Sequence, residues 1–165
     1  QYRKDVKKSK EDIKQDVLSG NQKVEFLKGA EIAYENIIKA FAEGSHKKLK
    51  DLLSPDMSDN FEQAILQRNA EKIKSELTFI GMKNSEVEKS EKIKNELHVT
   101  VKFVCEIISV KKDKDNKIIE GNPDKIKTVT DCWKFSKNVN SKNPNWYLCE
   151  IISKWKEKKI LKNQI

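Results

Sequence analysis

A chain of 165 residues and 19.2 kDa has room for one ordinary domain, or one domain with tails. Its 34 Lys and Arg against 26 Asp and Glu give a formal charge of +8, nearly all of it carried by Lys, since Arg stands only at positions 3 and 68. The longest unbroken apolar run, Trp146-Tyr147-Leu148-Cys149, is far short of the roughly 20 residues needed to span a bilayer, and the apolar residues are too periodic for a disordered chain. No charged-then-apolar signal segment is visible. The chain begins at Gln1, so a processed or truncated form is an expectation, with or without the loss of an N-terminal anchor.

Residues 1–20 read as a charged linker or a short helix, with Ile13, Val17 and Leu18 at helical spacing. From Asn21 to Gly44 the period is 3.6: Phe26, Leu27, Ala30, Ala33, Tyr34, Ile37, Ile38 and Phe41 share one face. Asn21 can cap its start, and Gly44 can end it. A short helix follows Ser45, with Leu49, Leu52 and Leu53 on one side. Ser54-Pro55-Asp56 opens a third, with Ser54 as N-cap, Pro55 at the first helical position and Asp56 at the positive end of the dipole. Its stripe is Met57, Phe61, Ala64, Ile65 and Ile73, with Arg68 on the polar side.

After Glu76 the period changes to two. Leu77–Val87, passing through Gly81, reads as one strand. Leu97, Val99, Val101, Phe103, Cys105 and Ile107 alternate with polar residues in a second, longer strand. Turn signals at 111–117 and at Gly121-Asn122-Pro123-Asp124 lead to a third over Ile126–Phe135, and a turn over Asn138–Asn145 leads to a fourth over Trp146–Trp155. Helices first and strands after predict an α+β domain with a twisted four-stranded antiparallel sheet over residues 21–155, followed by a basic tail at 156–165. Charge divides at the same boundary, with a net +1 over residues 1–80 and +7 over 81–165.

Catalytic parts are scarce. The sequence has no nucleophile elbow, no glycine-rich phosphate loop and no Cys/His metal spacing; its His are 46 and 98. Both His read as surface residues, and Cys105, Cys132 and Cys149 as small buried side chains. Asp131, Glu106 and Glu150 interrupt apolar strands. Each is either a carboxylate of raised pKa able to act as a base, or a partner for a Lys, or an edge residue in water. Few Arg and aromatics that fit a core argue against nucleic acid as a partner. A membrane surface suits the Lys better, because anionic headgroups attract them at roughly 1 kcal/mol each. Lys154, Trp155, Lys156, Lys158 and Lys159 are the candidate lipid contacts, with Ile160, Leu161 and Ile165 as shallow anchors, unless the tail is a solvated end.

Phe26-Leu27-Lys28-Gly29-Ala30 through Phe41, then Leu52-Leu53-Ser54-Pro55, form one half of a pattern. Val101-Lys102-Phe103-Val104, Val129-Thr130-Asp131-Cys132-Trp133-Lys134-Phe135 and Asn143-Pro144-Asn145-Trp146-Tyr147-Leu148 form the other. Together, over about residues 22–152, they resemble the C-terminal domain of the forty-four-kilodalton tether subunit of the mitochondrial inner-membrane import motor, and its bacterial relatives. The resemblance implies a cone-shaped α+β fold like nuclear transport factor two, with a bent sheet wrapping the helices around an apolar pocket. It also implies peripheral association with an inner membrane, binding to anionic lipid such as cardiolipin, and a translocase or chaperone protein as partner. In that family the N-terminal helices serve membrane recruitment, whereas here the positive charge is on the sheet half.

The expectation is a non-enzymatic scaffold domain without cofactor or metal. It would sit at the bacterial inner membrane, peripherally or through an N-terminal anchor, or else on the matrix side of the mitochondrial one. Phe26, Tyr34, Phe103, Trp133 and Trp146 would line its core or pocket. The alternatives are an isomerase or dehydratase on the same fold with Asp131 as base, and a soluble adapter.

Overall fold

The computed structural model describes residues 13–152, and in it the two apolar periods of the sequence meet face to face. Strand β1 (Ile13–Gln15) precedes three helices, α1 (Gly20–Glu43), α2 (His46–Leu49) and α3 (Pro55–Ala70). Strands β2 (Lys74–Ile93), β3 (Glu96–Lys112), β4 (Ile118–Gly121), β5 (Lys127–Asn138) and β6 (Tyr147–Ile151) follow. The α+β class holds, but the sheet has six strands rather than four, in the order β1-β2-β3-β5-β6 with β4 beside the far end of β3. All its named pairs are antiparallel.

Two strands escape the helical and alternating patterns. Ile13–Gln15 forms an edge strand, not a helix turn, because Ile13 pairs with Ile93 and Gln15 with Glu91. Its apolar spacing is that of a helix, but the backbone pairing comes from far along the chain. Strand β4 has only Ile118 and Ile119 as apolar residues and leaves both exposed, so no alternation announces it.

Helix α1 starts two residues before the expected point. Ser19, not Asn21, is the N-cap: its hydroxyl accepts from Gln22 N while the Gln22 side chain accepts from Ser19 N, a capping box. Its end falls where expected, with Gly44 left-handed at φ 77°. Helix α3 begins as read, with Ser54 accepting from Met57 N and Pro55 at its first turn. Arg68 was expected on the polar side of α3, but its guanidinium reaches back to α1, donating to the carbonyls of Phe41 (2.7 Å) and Ala42 (3.3 Å) and lying over the Phe41 ring. A cation at a helix C-terminus satisfies carbonyls that have no partner in the helix.

The core lies between α1 and one face of the sheet. Tyr34, Ile37 and Phe41 of α1 meet Val99, Val101 and Phe103 of β3 and Trp133 and Phe135 of β5, all at most 2% exposed. Strand β2 bends around this face through three register shifts, at Phe79/Gly81, Met82/Asn84 and Val87/Lys89. The stretch joining α2 to α3 is sewn to the last strand: Ser54 N donates to Leu148 O, Leu148 N donates to Leu52 O, and Leu53 bridges Leu148 in parallel.

Candidate functional site

At the end of the sheet where β3 begins, α1 and the strands part and leave a cleft of about 700 Å³. That size falls in the usual range for ligand sites. Phe26, Ala30 and Ala33 of α1, one or two turns apart on a single stripe, form one wall. Leu97, Phe135 and Trp146 form the opposite wall, with Leu18 and Leu52 at the sides. Phe26 stands edge-on to Trp146 (4.8 Å between centroids) and to Phe135 (6.1 Å), which fixes the rings of both walls.

Gly29 lies in the wall as well, and no atom lies within 4 Å of where its Cβ would be. A mid-helix glycine costs helix stability of about 0.5–1 kcal/mol relative to Ala. Here it leaves open space, not close packing.

Glu25, Asp51 and Lys137 also line the cleft; neither carboxylate has an ion-pair partner among the described residues, and Lys137 lies 6.0 Å over the Trp146 ring. The cleft therefore offers apolar walls with a few charged groups among them.

The five aromatic residues singled out from the sequence separate into two groups. Phe26 and Trp146 line the cleft. Tyr34, Phe103 and Trp133 do not; they are core side chains, 1%, 0% and 1% exposed, stacked on one another at 4.5–6.0 Å. Sequence reasoning missed Leu97, Phe135 and Lys137 as cleft residues, whereas Gly29, a glycine inside an otherwise regular helix, was a signal available to it. The lipid-contact candidates Lys154, Trp155, Lys156, Lys158 and Lys159 lie outside the described residues.

Asp131 is buried away from the cleft. Its carboxylate accepts from the Tyr34 hydroxyl at 2.5 Å, and the same hydroxyl lies 3.4 Å from Cys105 Sγ. Burial first, and then the charge of Asp131, push the Tyr34 hydroxyl far above its ordinary pKa; burial also raises the Cys105 thiol. This network ties α1 to β3 and β5. It does not give Asp131 the cleft position that a general base for the isomerase or dehydratase alternative would need.

The other carboxylates in apolar strands form ion pairs. Glu106 lies 3.7 Å from Lys83, and Glu150 lies 2.9 Å from Lys134, whose pKa is raised chiefly by that hydrogen bond. On the outer face of the sheet, Cys132 Sγ donates to Glu88, and burial, then that carboxylate, push its thiol up to about 11.

His46 is a surface residue as read, its side chain 39% exposed with Nε2 3.2 Å from Ser58, whereas His98 is only 20% exposed and meets Glu96 at 3.0 Å. No group of three or more potential metal ligands exists among the described residues.

Fold and cleft together define a class: an α+β domain that presses a long helix on a bent antiparallel sheet and leaves an apolar opening at one end. The chain belongs to the family of the Tim44-like domain, whose model matches residues 16–153. That family is associated with membrane-linked translocation and scaffold roles. The solved structure of the intermembrane space region of the chloroplast protein ARC6 is similar, with a TM-score of 0.51 at 12% identity, covering 76% of this chain and 95% of that one. At that identity the likeness is one of fold. No curated protein matches the chain. No helix among the described residues is long and apolar enough to cross a membrane.

Proposed function

We propose that this is a non-enzymatic, membrane-associated scaffold domain linked to protein translocation. It would hold to an anionic lipid surface and present its cleft to a partner protein, a translocase or chaperone. The observation that carries the reading is the family match across residues 16–153 on a fold with a preformed apolar cleft. With it goes the cone-shaped arrangement of nuclear transport factor two, the cleft being the mouth of the cone. The basic segment with Lys154, Trp155, Lys156, Lys158 and Lys159 supplies lipid contacts, and a bacterial inner membrane containing cardiolipin is the surface that suits it.

Co-sedimentation with liposomes, with and without cardiolipin and at low and high salt, tests this. Salt-sensitive binding confined to anionic vesicles is expected, and replacing the four tail lysines with Gln should weaken it and flatten its salt dependence. Absence of binding at any salt would leave only the adapter role.

A further inference from the structure

We infer that the arm formed by the end of β3, by β4 and by the return to β5 (residues 111–127) is a second contact surface for an anionic bilayer. This rests on the membrane-associated reading above and assigns a part of the fold to it.

Strand β5 begins at Lys127, opposite Ile107 of β3. Beyond that point β4 takes its place, with Gly121 opposite Val110, Glu120 opposite Lys111 and Ile118 opposite Lys112. All four β4 residues are exposed, and no strand among the described residues covers the outer edge of β4. Ile118, Ile119 and Ile126 are 41%, 52% and 56% exposed. Three of the nine exposed large apolar side chains among the described residues thus stand within nine positions of the chain, along a stretch that follows roughly 17 Å of β3 by strand rise.

Turn hydrogen bonds hold the arm in shape. The Asp113 carboxylate accepts from the N–H groups of Asp115 (2.9 Å) and Lys117 (3.0 Å), and the Asn122 side chain accepts from Asp124 N (2.8 Å). Gly121 has φ 85°, and a Cβ there would lie 2.0 Å from Ser109 O, so only glycine lets β4 approach β3 so closely.

Charge selects the partner. Glu120 is taken by Lys111 (3.5 Å) and Lys112 by Glu76 (3.1 Å). Lys114, Lys117, Lys125 and Lys127 have no ion-pair partner among the described residues, and they outnumber Asp113, Asp115 and Asp124 by one, so the arm keeps a small positive excess. Exposed isoleucines in a Lys-rich segment with no aromatic residue and no Arg lack the anchors that protein interfaces favour. Lysine stems lying along apolar surface with their ammonium groups at the headgroups fit a lipid interface. At most about 50 Å of extended strand separates Leu97, at the cleft, from the arm.

The test is co-sedimentation of the full chain carrying Ile118→Ser, Ile119→Ser and Ile126→Ser with vesicles of phosphatidylcholine and phosphatidylglycerol, with phosphatidylcholine alone as control. Binding about tenfold weaker than that of the unaltered chain, at an unchanged circular-dichroism spectrum, is expected. Equal binding by both chains would overturn the arm and leave the membrane to the tail. No binding by the unaltered chain would overturn the arm and the membrane reading together. Should the triple variant lose its fold, Lys114, Lys117, Lys125 and Lys127 replaced by Gln carry the same test: a flattened salt dependence supports the arm, and an unchanged one overturns it.

Discussion

Strand β3 begins at the cleft and ends in the arm, and its two ends are organised by different physics. At the cleft end α1 provides a second layer, so side-chain position is set by burial and ring contacts: Phe26 on Trp146, Tyr34 on Trp133. At the arm end shape comes from Asp113, Asn122 and Gly121 acting on the backbone. The first end shelters apolar groups in a cleft, while the second displays Ile118, Ile119 and Ile126. Such a division suits a domain that holds one partner inside and another outside.

The largest test of that contrast is Trp133→Ala. A cavity under the centre of the sheet should cost about 3–5 kcal/mol in urea unfolding. A loss under about 1 kcal/mol would mean that the core does not hold the sheet.

Tyr34→Phe should cost less, about 1–3 kcal/mol, because Asp131 loses a buried donor. Its sharper signature is in pH. Folding raises the Tyr34 pKa above its ordinary value of 10.0, so the folded chain resists an ionisation that the unfolded chain undergoes. The resulting stability is complete below about pH 10 and is lost as the pH rises above it. Unfolding curves between about pH 8 and pH 11 should therefore fall more steeply for the unaltered chain than for Tyr34→Phe; parallel curves would contradict the buried hydroxyl.

The smallest effect is expected at the cleft wall. Gly29→Ala should raise the melting temperature, reflecting about 0.5–1 kcal/mol of helix stability, because nothing obstructs the new methyl group. Gly29→Leu should keep the fold while reducing the fluorescence of an apolar dye taken up by the cleft. Undiminished dye uptake would show that the cleft is not the apolar site.

What the sequence disclosed is what depends on neighbours in the chain. Ser54-Pro55 and Gly44 mark helix ends through local backbone chemistry, and the alternation through Val99, Val101 and Phe103 marks a half-buried strand. What it hid depends on distant partners. The role of Ile13 follows from Ile93, and the position of Arg68 follows from carbonyls on another helix. The cleft was half legible for the same reason. Its aromatic walls stood out as apolar residues, but which of them face space and which face one another is decided by the crossing of α1 over β5, and neither Glu25 nor Asp51 differs in sequence from any solvated carboxylate.

The stitch between Leu52, Ser54 and Leu148 also sets an order of events during synthesis. The helices leave the ribosome before the strand that binds their connecting segment has been made, and at 5–20 residues per second that wait is on the order of ten seconds. Until Leu148 emerges, the carbonyl of Leu52 and the amide of Ser54 lack the partners they have in the finished fold. A nascent chain stopped before β6 would thus leave Leu52, Leu53 and their backbone without a partner strand for as long as it remained stalled, and in that interval it would itself be a client for a chaperone.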